Sequence, residues 1–310
     1  MQASSKITNG TIAVTGATGF IGSYLCAALQ DQGYTVLRLG RGAPQSDQDR
    51  QTDYSEANLT RALQGADAVI HLAGRRMTRE DAPMDITPFL GPNILQISDL
   101  VAAAHNTGVR KIILASTIAV YSPRSGLPYL ETAPARPLNA YALSKLMAEA
   151  HLELLTRTEG PAAISLRLAA VYGYGEKSTP ALMKFINQAM VGETIVLGGN
   201  ADYRIDQLYV RDACSAMIAA LRADIDNGVF NIGGGQAWSV DEIAQTVNEV
   251  FGNTSNIRYE TDSDAPMPKT VMNLEAAKHS LAWSPAYNLS NGLKNFKQCM
   301  LATTTGEREK

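Results

Sequence analysis

The chain is expected to fold as an α/β protein, one parallel sheet wound on both sides by helices and followed by a smaller, discontinuous α/β lobe. Three observations predict this. Strand-like and helix-like segments alternate through the first half. The strand-like runs are apolar throughout rather than at every second residue, as in strands covered on both faces. A glycine-rich turn joins the first strand to the first helix. Strand–helix alternation of this kind reads as a doubly wound sheet.

Thr11 to Thr15 is a short β-branched run ending at glycine, and Ile21, Leu25, Ala28 and Leu29 then mark one face of a helix that stops near Gly33. Further strands are expected at Thr35–Leu39, Ala68–Leu72, Ile112–Ala115 and Ala163–Leu168. Helices are expected between them, over Tyr54–Leu63, Thr87–His105 and Tyr141–Thr158, the last with Leu143, Leu146, Met147 and Ala150 on one packing stripe. Past Arg167 the rhythm loosens, with Gly, Pro and Tyr clustered over Tyr172–Pro180 and a turn at Gly233–Gly235. The expected organisation is a dinucleotide-binding domain over 1–167 that includes part of 205–232, and a substrate-binding lobe over 168–204 and 233–302. A frayed polar tail over 303–310 completes it.

Composition narrows the function classes. The chain has 310 residues, 45% of them apolar and 18% charged, which is the mixture of a globular protein. A net charge of -3 offers no field for nucleic acid and no polybasic patch for a membrane. No apolar run approaches the roughly 18 residues of a spanning helix, and Met1–Gly10 lacks a secretory apolar stretch. Cys26, Cys214 and Cys299 form no CxxC, and the histidines His71, His105, His151 and His279 are scattered, so no disulfide frame or metal site is expected. A soluble, cytoplasmic location is the expectation.

The turn Thr15-Gly16-Ala17-Thr18-Gly19-Phe20-Ile21-Gly22 lies between strand and helix. Gly16 permits the tight turn, Gly19 lets backbone approach a pyrophosphate, and Gly22 lets the helix pack on the sheet, while Thr18, Phe20 and Ile21 complete the phosphate cradle. With a strand before it and an amphipathic helix after it, this is a Rossmann-type signature, and NAD or NADP is the expected cofactor. After the second strand an NAD site usually has a carboxylate for the ribose hydroxyls; here Gly40 and Arg41 stand there. The guanidinium suits a 2′-phosphate, which leans the expectation toward NADP, or it is a solvated surface arginine. Asp53 and its neighbour Tyr54 are placed with the adenosine, although Asp53 is equally readable as a helix cap.

Tyr141 and Lys145 open a helix four residues apart, so phenol and ammonium share a face. Ser116 and Thr117 end a strand, where a parallel sheet opens its ligand crevice. An unperturbed tyrosine titrates near ~10, whereas a working base is best near ~7, a gap of roughly 4 kcal/mol. An adjacent Lys145 ammonium and a positive nicotinamide would close it by favouring phenolate. Thr117, Tyr141 and Lys145 are therefore the candidate catalytic residues.

These segments resemble those of extended short-chain dehydrogenase/reductases of the NAD-dependent epimerase/dehydratase group. The matching stretches are TGATGFIG (15–22), DAVIHLAG (67–74), ASTIAVYS (115–122), YALSK (141–145), SLRLAAVYGYG (165–175), VFNIGGG (229–235) and LAWSPAYNLSNGL (281–293). The resemblance implies that Tyr141 is the acid/base, Lys145 its partner and a ribose ligand, and Thr117 the hydroxyl that orients substrate. It also implies that Leu72, Ala73 and Gly74 line the nicotinamide side, that the substrate is a nucleotide-activated sugar, and that the chain forms a homodimer.

Sugar 4,6-dehydratases of the group have Thr-Asp-Glu at the strand end, because eliminating water needs a further acid and base. Here Ile118 and Ala119 follow Thr117, which favours a 4-epimerase. Two positions depart from the group's pattern: Ala170 replaces an asparagine of the diphosphate site, and Ile205 replaces an arginine, with Arg204 adjacent. Arg75 and Arg76 are either phosphate ligands in compensation or solvated, and Tyr172 either borders substrate or packs. By the same resemblance Thr270 gates bulk beside the sugar C2 group, and a small residue there leans toward a UDP-GlcNAc-type substrate. The expected activity is thus a nucleotide-sugar epimerase, a UDP-sugar 4-epimerase of UDP-GlcNAc or UDP-Glc type. The alternatives are an NADPH-dependent keto-sugar reductase and a non-catalytic dinucleotide-binding protein.

Overall fold

A computed structural model describes residues 5–157, 160–176, 180–198, 201–260 and 270–305. The helix end expected at Thr158, and parts of the expected 168–204 and 233–302 segments, lie outside the described residues.

Apolar β-branched runs build the main sheet. β1 (Thr11–Thr15), β2 (Thr35–Gly40), β3 (Asp49–Gln51), β4 (Ala68–His71), β5 (Lys111–Thr117) and β6 (Ala162–Leu168) are joined by a later strand, β10 (Asn227–Ile232). All pairings are parallel, in the order β10-β6-β5-β4-β1-β2-β3. The winding reverses between β1 and β4, and the crevice at their carboxyl ends is the switch point where such sheets take ligands. Alternate residues feed two cores: Ile12 and Val14 face one side, Ala13 the other. Each fully buried Val or Ile here contributes about 1.5–3 kcal/mol.

Between the strands lie α1 (Phe20–Asp31), α2 (Glu56–Ala62), α3 (Thr87–Phe89), α4 (Gln96–Thr107) and α5 (Ala140–Thr156). The helix expected over Thr87–His105 is not continuous. A π-helical turn, Leu90–Leu95, separates α3 from α4. Pro92 inside it has no N–H for a regular i→i−4 bond, so the winding opens there. The expected packing stripe on α5 is corrected in part, since Leu146 packs against the core and Leu143, Met147 and Ala150 do not. Leu143 and Met147 are 40% and 39% exposed, whereas Ala142, Ser144, Ala148, Glu149 and Leu152 face inward. Small residues let this helix lie close to the sheet.

The remaining elements are β7 (Ala170–Tyr172), α6 (Pro180–Met190), β8 (Ile195–Leu197), β9 (Arg204–Tyr209), α7 (Val210–Arg222), β11 (Ala237–Ser239), α8 (Val240–Phe251), β12 (Ile257–Tyr259), α9 (Glu275–Ser280) and α10 (Leu289–Thr305). β11, β9 and β7 form a three-stranded sheet, and β12 pairs with β8. α7 packs on α1 while α6 and α10 pack on α8. The expected tail is corrected over its first part, because α10 continues through Thr305; 306–310 lie outside the described residues.

Candidate active site

Gly16, at φ +67°, turns the chain so tightly that a Cβ there would stand 3.0 Å from the Ala73 nitrogen. At Gly22 a Cβ would meet the Gly16 carbonyl oxygen at 2.2 Å and Ala17 Cα at 2.8 Å. Gly19 is the N-cap of α1 and supplies no side chain, so the first N–H groups of the helix, from Phe20 and Ile21 onward, are left for an anion. Thr18 lies in the turn just before.

The far wall is built by Thr15. Its hydroxyl accepts N–H bonds from Leu72 and Ala73, both at 3.1 Å, and lies 2.9 Å from His71 Nδ1. With its acceptor sites so used, the hydroxyl donates to the imidazole, and burial holds His71 neutral, its pKa pushed down to about 3. Gly74 and Arg75 are fixed from behind by Asn93 in the π-helical turn. Its Oδ1 accepts from Arg75 N at 2.7 Å, and its Nδ2 donates to Arg75 O at 3.0 Å and to Ser144 Oγ of α5 at 2.8 Å. A tight glycine turn, an uncapped helix start and a backbone wall across the switch point are what a dinucleotide requires, and the residues present fit one.

At the adenosine end a hollow of about 670 Å³ is lined by Arg41, Arg50, Arg61, Thr52, Asp53 and Asn58. Arg41 lies over the Tyr54 ring, 5.6 Å from its centroid. Tyr54 is buried, has φ +69°, and has the Gly16 backbone against its hydroxyl, so it braces the glycine turn. Asp53 accepts from Ser55 N at 2.9 Å and Ser55 Oγ at 2.6 Å, hydrogen bonds that hold its carboxyl down at about 2. These bonds brace Ser55, the N-cap residue of α2, while Asp53 also lines the hollow.

Asn139 caps α5 by accepting from Ala142 N at 2.8 Å, which places Tyr141 in the first turn with Lys145 above it. Thr117 ends β5, its hydroxyl facing the Tyr141 phenol. Burial raises the Tyr141 phenol, and the Arg76 guanidinium and the Thr117 hydroxyl draw it back down. The Arg76 guanidinium thus acts on the phenol, a role the sequence did not single out for it. Arg76 is held by Glu176 at 3.0 Å. Burial lowers Lys145 to about 8, against the pull of Glu149.

Several expected substrate contacts are engaged elsewhere. Ser116 donates to the buried Glu149 carboxylate, so it faces the interior. Tyr172 is 1% exposed, its hydroxyl directed to Leu289 O at 3.4 Å; it is a core residue between lobe elements. Arg75 pairs with Asp81 at 2.6 Å and lies over Phe89, and Arg204 pairs with Glu242 at 3.0 Å and donates to Ala237 O at 3.1 Å. The Thr270 hydroxyl accepts from Asp206 N at 3.2 Å and donates to Arg204 O at 3.3 Å. Glu149, Asn93 and Arg167 were not singled out in the sequence. The one available signal was a carboxylate four residues beyond Lys145, on the same face.

Fold and site together define a pyridine-nucleotide enzyme of the short-chain dehydrogenase/reductase type. The sequence profile of the NAD dependent epimerase/dehydratase family matches residues 12–233, and the chain belongs to that family. A crystal structure of UDP-N-acetylglucosamine 4-epimerase from Bacillus cereus is 32% identical with a TM-score of 0.86, covering 94% of this chain and 96% of that one. UDP-glucuronic acid 4-epimerase from the same organism, solved with UDP-glucuronic acid and NAD, is 25% identical with a TM-score of 0.80 over 94% of this chain and 99% of its own. A Bacillus subtilis protein named an uncharacterized UDP-glucose epimerase is 26% identical over 92% of this chain and 96% of itself. No helix among the described residues is long and apolar enough to cross a membrane.

Proposed function

We propose that the chain is a nucleotide-sugar 4-epimerase, acting on UDP-GlcNAc- or UDP-Glc-type substrates through a transient 4-keto sugar. The observation that carries this reading is the convergence of Thr117, Tyr141 and Lys145 at the switch point, followed by Ile118 and Ala119, which have no proton to move. Thr117 holds the sugar hydroxyl and Tyr141 Oη takes its proton. Lys145 and Arg76 favour the phenolate that does so. A nicotinamide held against Leu72, Ala73 and Gly74 would supply the acceptor, and then the donor, of the carbinol hydride. The keto sugar turns over within the crevice, and Tyr141 returns the proton as the opposite epimer forms. Nothing is consumed, which suits a cofactor that stays bound. Incubation with a panel of UDP-sugars and chromatographic separation of the epimers tests the reading, and a panel left unchanged refutes it.

Arg41, Arg50 and Arg61 around the adenosine-end hollow favour a 2′-phosphate, and so NADP over NAD. Arg41→Asp is then expected to weaken NADP binding about tenfold or more relative to NAD. A wild-type protein that prefers NAD defeats this part. The same arginines support the second reading, a keto-sugar reductase, distinguished by net consumption of NADPH. In the substrate lobe, taken as 168–204 with 233–302, Arg204 and Thr270 are read as second-layer residues that shape the sugar site. Outward Leu143, Met147 and Leu154 on α5, with Leu95 in the turn before α4, support a homodimer through this face. Three free cysteines agree with a reducing, cytoplasmic setting.

A further inference from the structure

The mechanism above uses Lys145 and leaves a buried carboxylate one turn beyond it unexplained. Glu149 is 5% exposed and stands at i+4 from Lys145 and i+8 from Tyr141, on the same face of α5. Arg167 of β6 grips it through Nε, at 3.2 Å and 3.1 Å from its two oxygens, and through Nη2 at 2.7 Å from Oε2. Ser116 of β5 donates to Oε1. The outer end of the guanidinium is held in turn: Arg167 Nη1 donates to Tyr121 Oη at 2.7 Å, and Tyr121 Oη donates to Asn231 Oδ1 at 2.9 Å. Among the described residues no hydrogen bond joins Glu149 to Lys145.

Stability alone does not account for such a pair, since apolar residues of the same volume often serve as well or better. Its placement does account for it. On its own helix Lys145 stands one turn from Tyr141 and one turn from Glu149, and the titratable groups that act on it are Glu149 and His71 of β4. His71 is neutral, so Glu149 is the one anion of the two. Left unclamped, a carboxylate four residues from a lysine would draw its ammonium into a hydrogen bond. Clamped by Arg167 and Ser116, it acts through space.

We infer that Glu149 is a positioning residue for Lys145: held off by Arg167 and Ser116, its carboxylate keeps the ammonium charged while leaving the three N–H groups free for cofactor ribose and phenol. The inference rests on the reading of Tyr141 and Lys145 given above, and its test does not need the sugar.

Binding of NADH and NADPH, followed by fluorescence across pH, is the measurement. Affinity of the wild type is expected to fall as the pH passes about 8, where Lys145 loses its proton. Glu149→Gln moves that fall lower by at least about one pH unit, while Glu149→Asp stays near the wild-type position. A purely structural role would instead weaken binding by one factor at every pH, leaving the fall in place, and that result overturns the inference. So does a wild type with no such fall. Should Glu149→Gln not fold, the double variant Glu149→Gln/Arg167→Met removes both buried charges together. Its fall must also lie below the wild-type position, and an unmoved fall overturns the inference. If the shift is seen but no UDP-sugar is epimerised, the proposed activity fails and the positioning role stands.

Discussion

Gly22→Ala offers the sharpest test of how the glycine turn is built. The added methyl carbon would lie 2.2 Å from the Gly16 carbonyl oxygen, about 1 Å inside the nearest comfortable carbon–oxygen approach. Its other neighbours, Ala17 Cα and C at 2.8 Å and 3.0 Å, are also backbone. No side chain can swing aside, so α1 must move away from the turn. Overpacking of this kind costs about 1–3 kcal/mol, which at roughly 2–4 °C per kcal/mol lowers Tm by roughly 2–12 °C. The displaced helix start also carries the N–H groups aimed at the pyrophosphate, so cofactor Kd is expected to rise at least about tenfold. Gly198→Ala is the control, because no atom lies within 4 Å of its added carbon. Thermal unfolding and cofactor titration of both variants read the outcome. If Gly22→Ala matches Gly198→Ala in Tm and Kd, the close packing of turn on helix is not what holds the cradle.

Tyr141→Phe should lower epimerisation about 10²–10⁴-fold while cofactor binding persists, measured by turnover beside fluorescence titration. Arg167→Met leaves the Glu149 carboxylate buried and unpaired, and should lower the unfolding free energy by about 3–5 kcal/mol in denaturant titration. His71 stays neutral in the folded protein down to about pH 3, whereas the unfolded chain protonates it near ~6.5. The unfolded state thus binds more protons between those values, so this stability is complete above ~6.5 and is lost as pH falls toward 3. His71→Asn should flatten that slope, by up to ~1.36 kcal/mol per pH unit.

How far the sequence disclosed the molecule depended on whether a feature was local. The core strands are continuous apolar runs, and β1, β2, β4, β5 and β6 lie where those runs fall, within a residue or two. β3 escaped notice because Asp49–Gln51 is short and polar, an edge strand made by its neighbour. The glycine turn and the Tyr141–Lys145 pair were legible because each is a fixed spacing on one element. Partner choice was not: Ser116, Tyr172 and Arg204 are each of a type that suits a ligand, and each is taken by a protein group brought from far along the chain, while Arg75 is taken by Asp81 six residues on. The inward face of α5 was misread for a related reason. Hydrophobicity marks the Leu143–Met147 side, but closeness to the sheet selects Ala142, Ser144 and Ala148.

The opened winding at Leu90–Leu95 makes folding and chemistry separable. Removing one residue from it would restore regular turns and rotate everything on the amino side by about 100° relative to α4. α4 would keep its seat against α2 and α5, and the scaffold would survive. Phe89, now edge-on to Tyr141 with ring centres 6.0 Å apart, would swing out of register with the phenol it touches. Asn93 would swing with it and let go of Arg75 and Ser144, so a single deletion there would loosen the phenol and the cofactor wall together while the sheet stays whole.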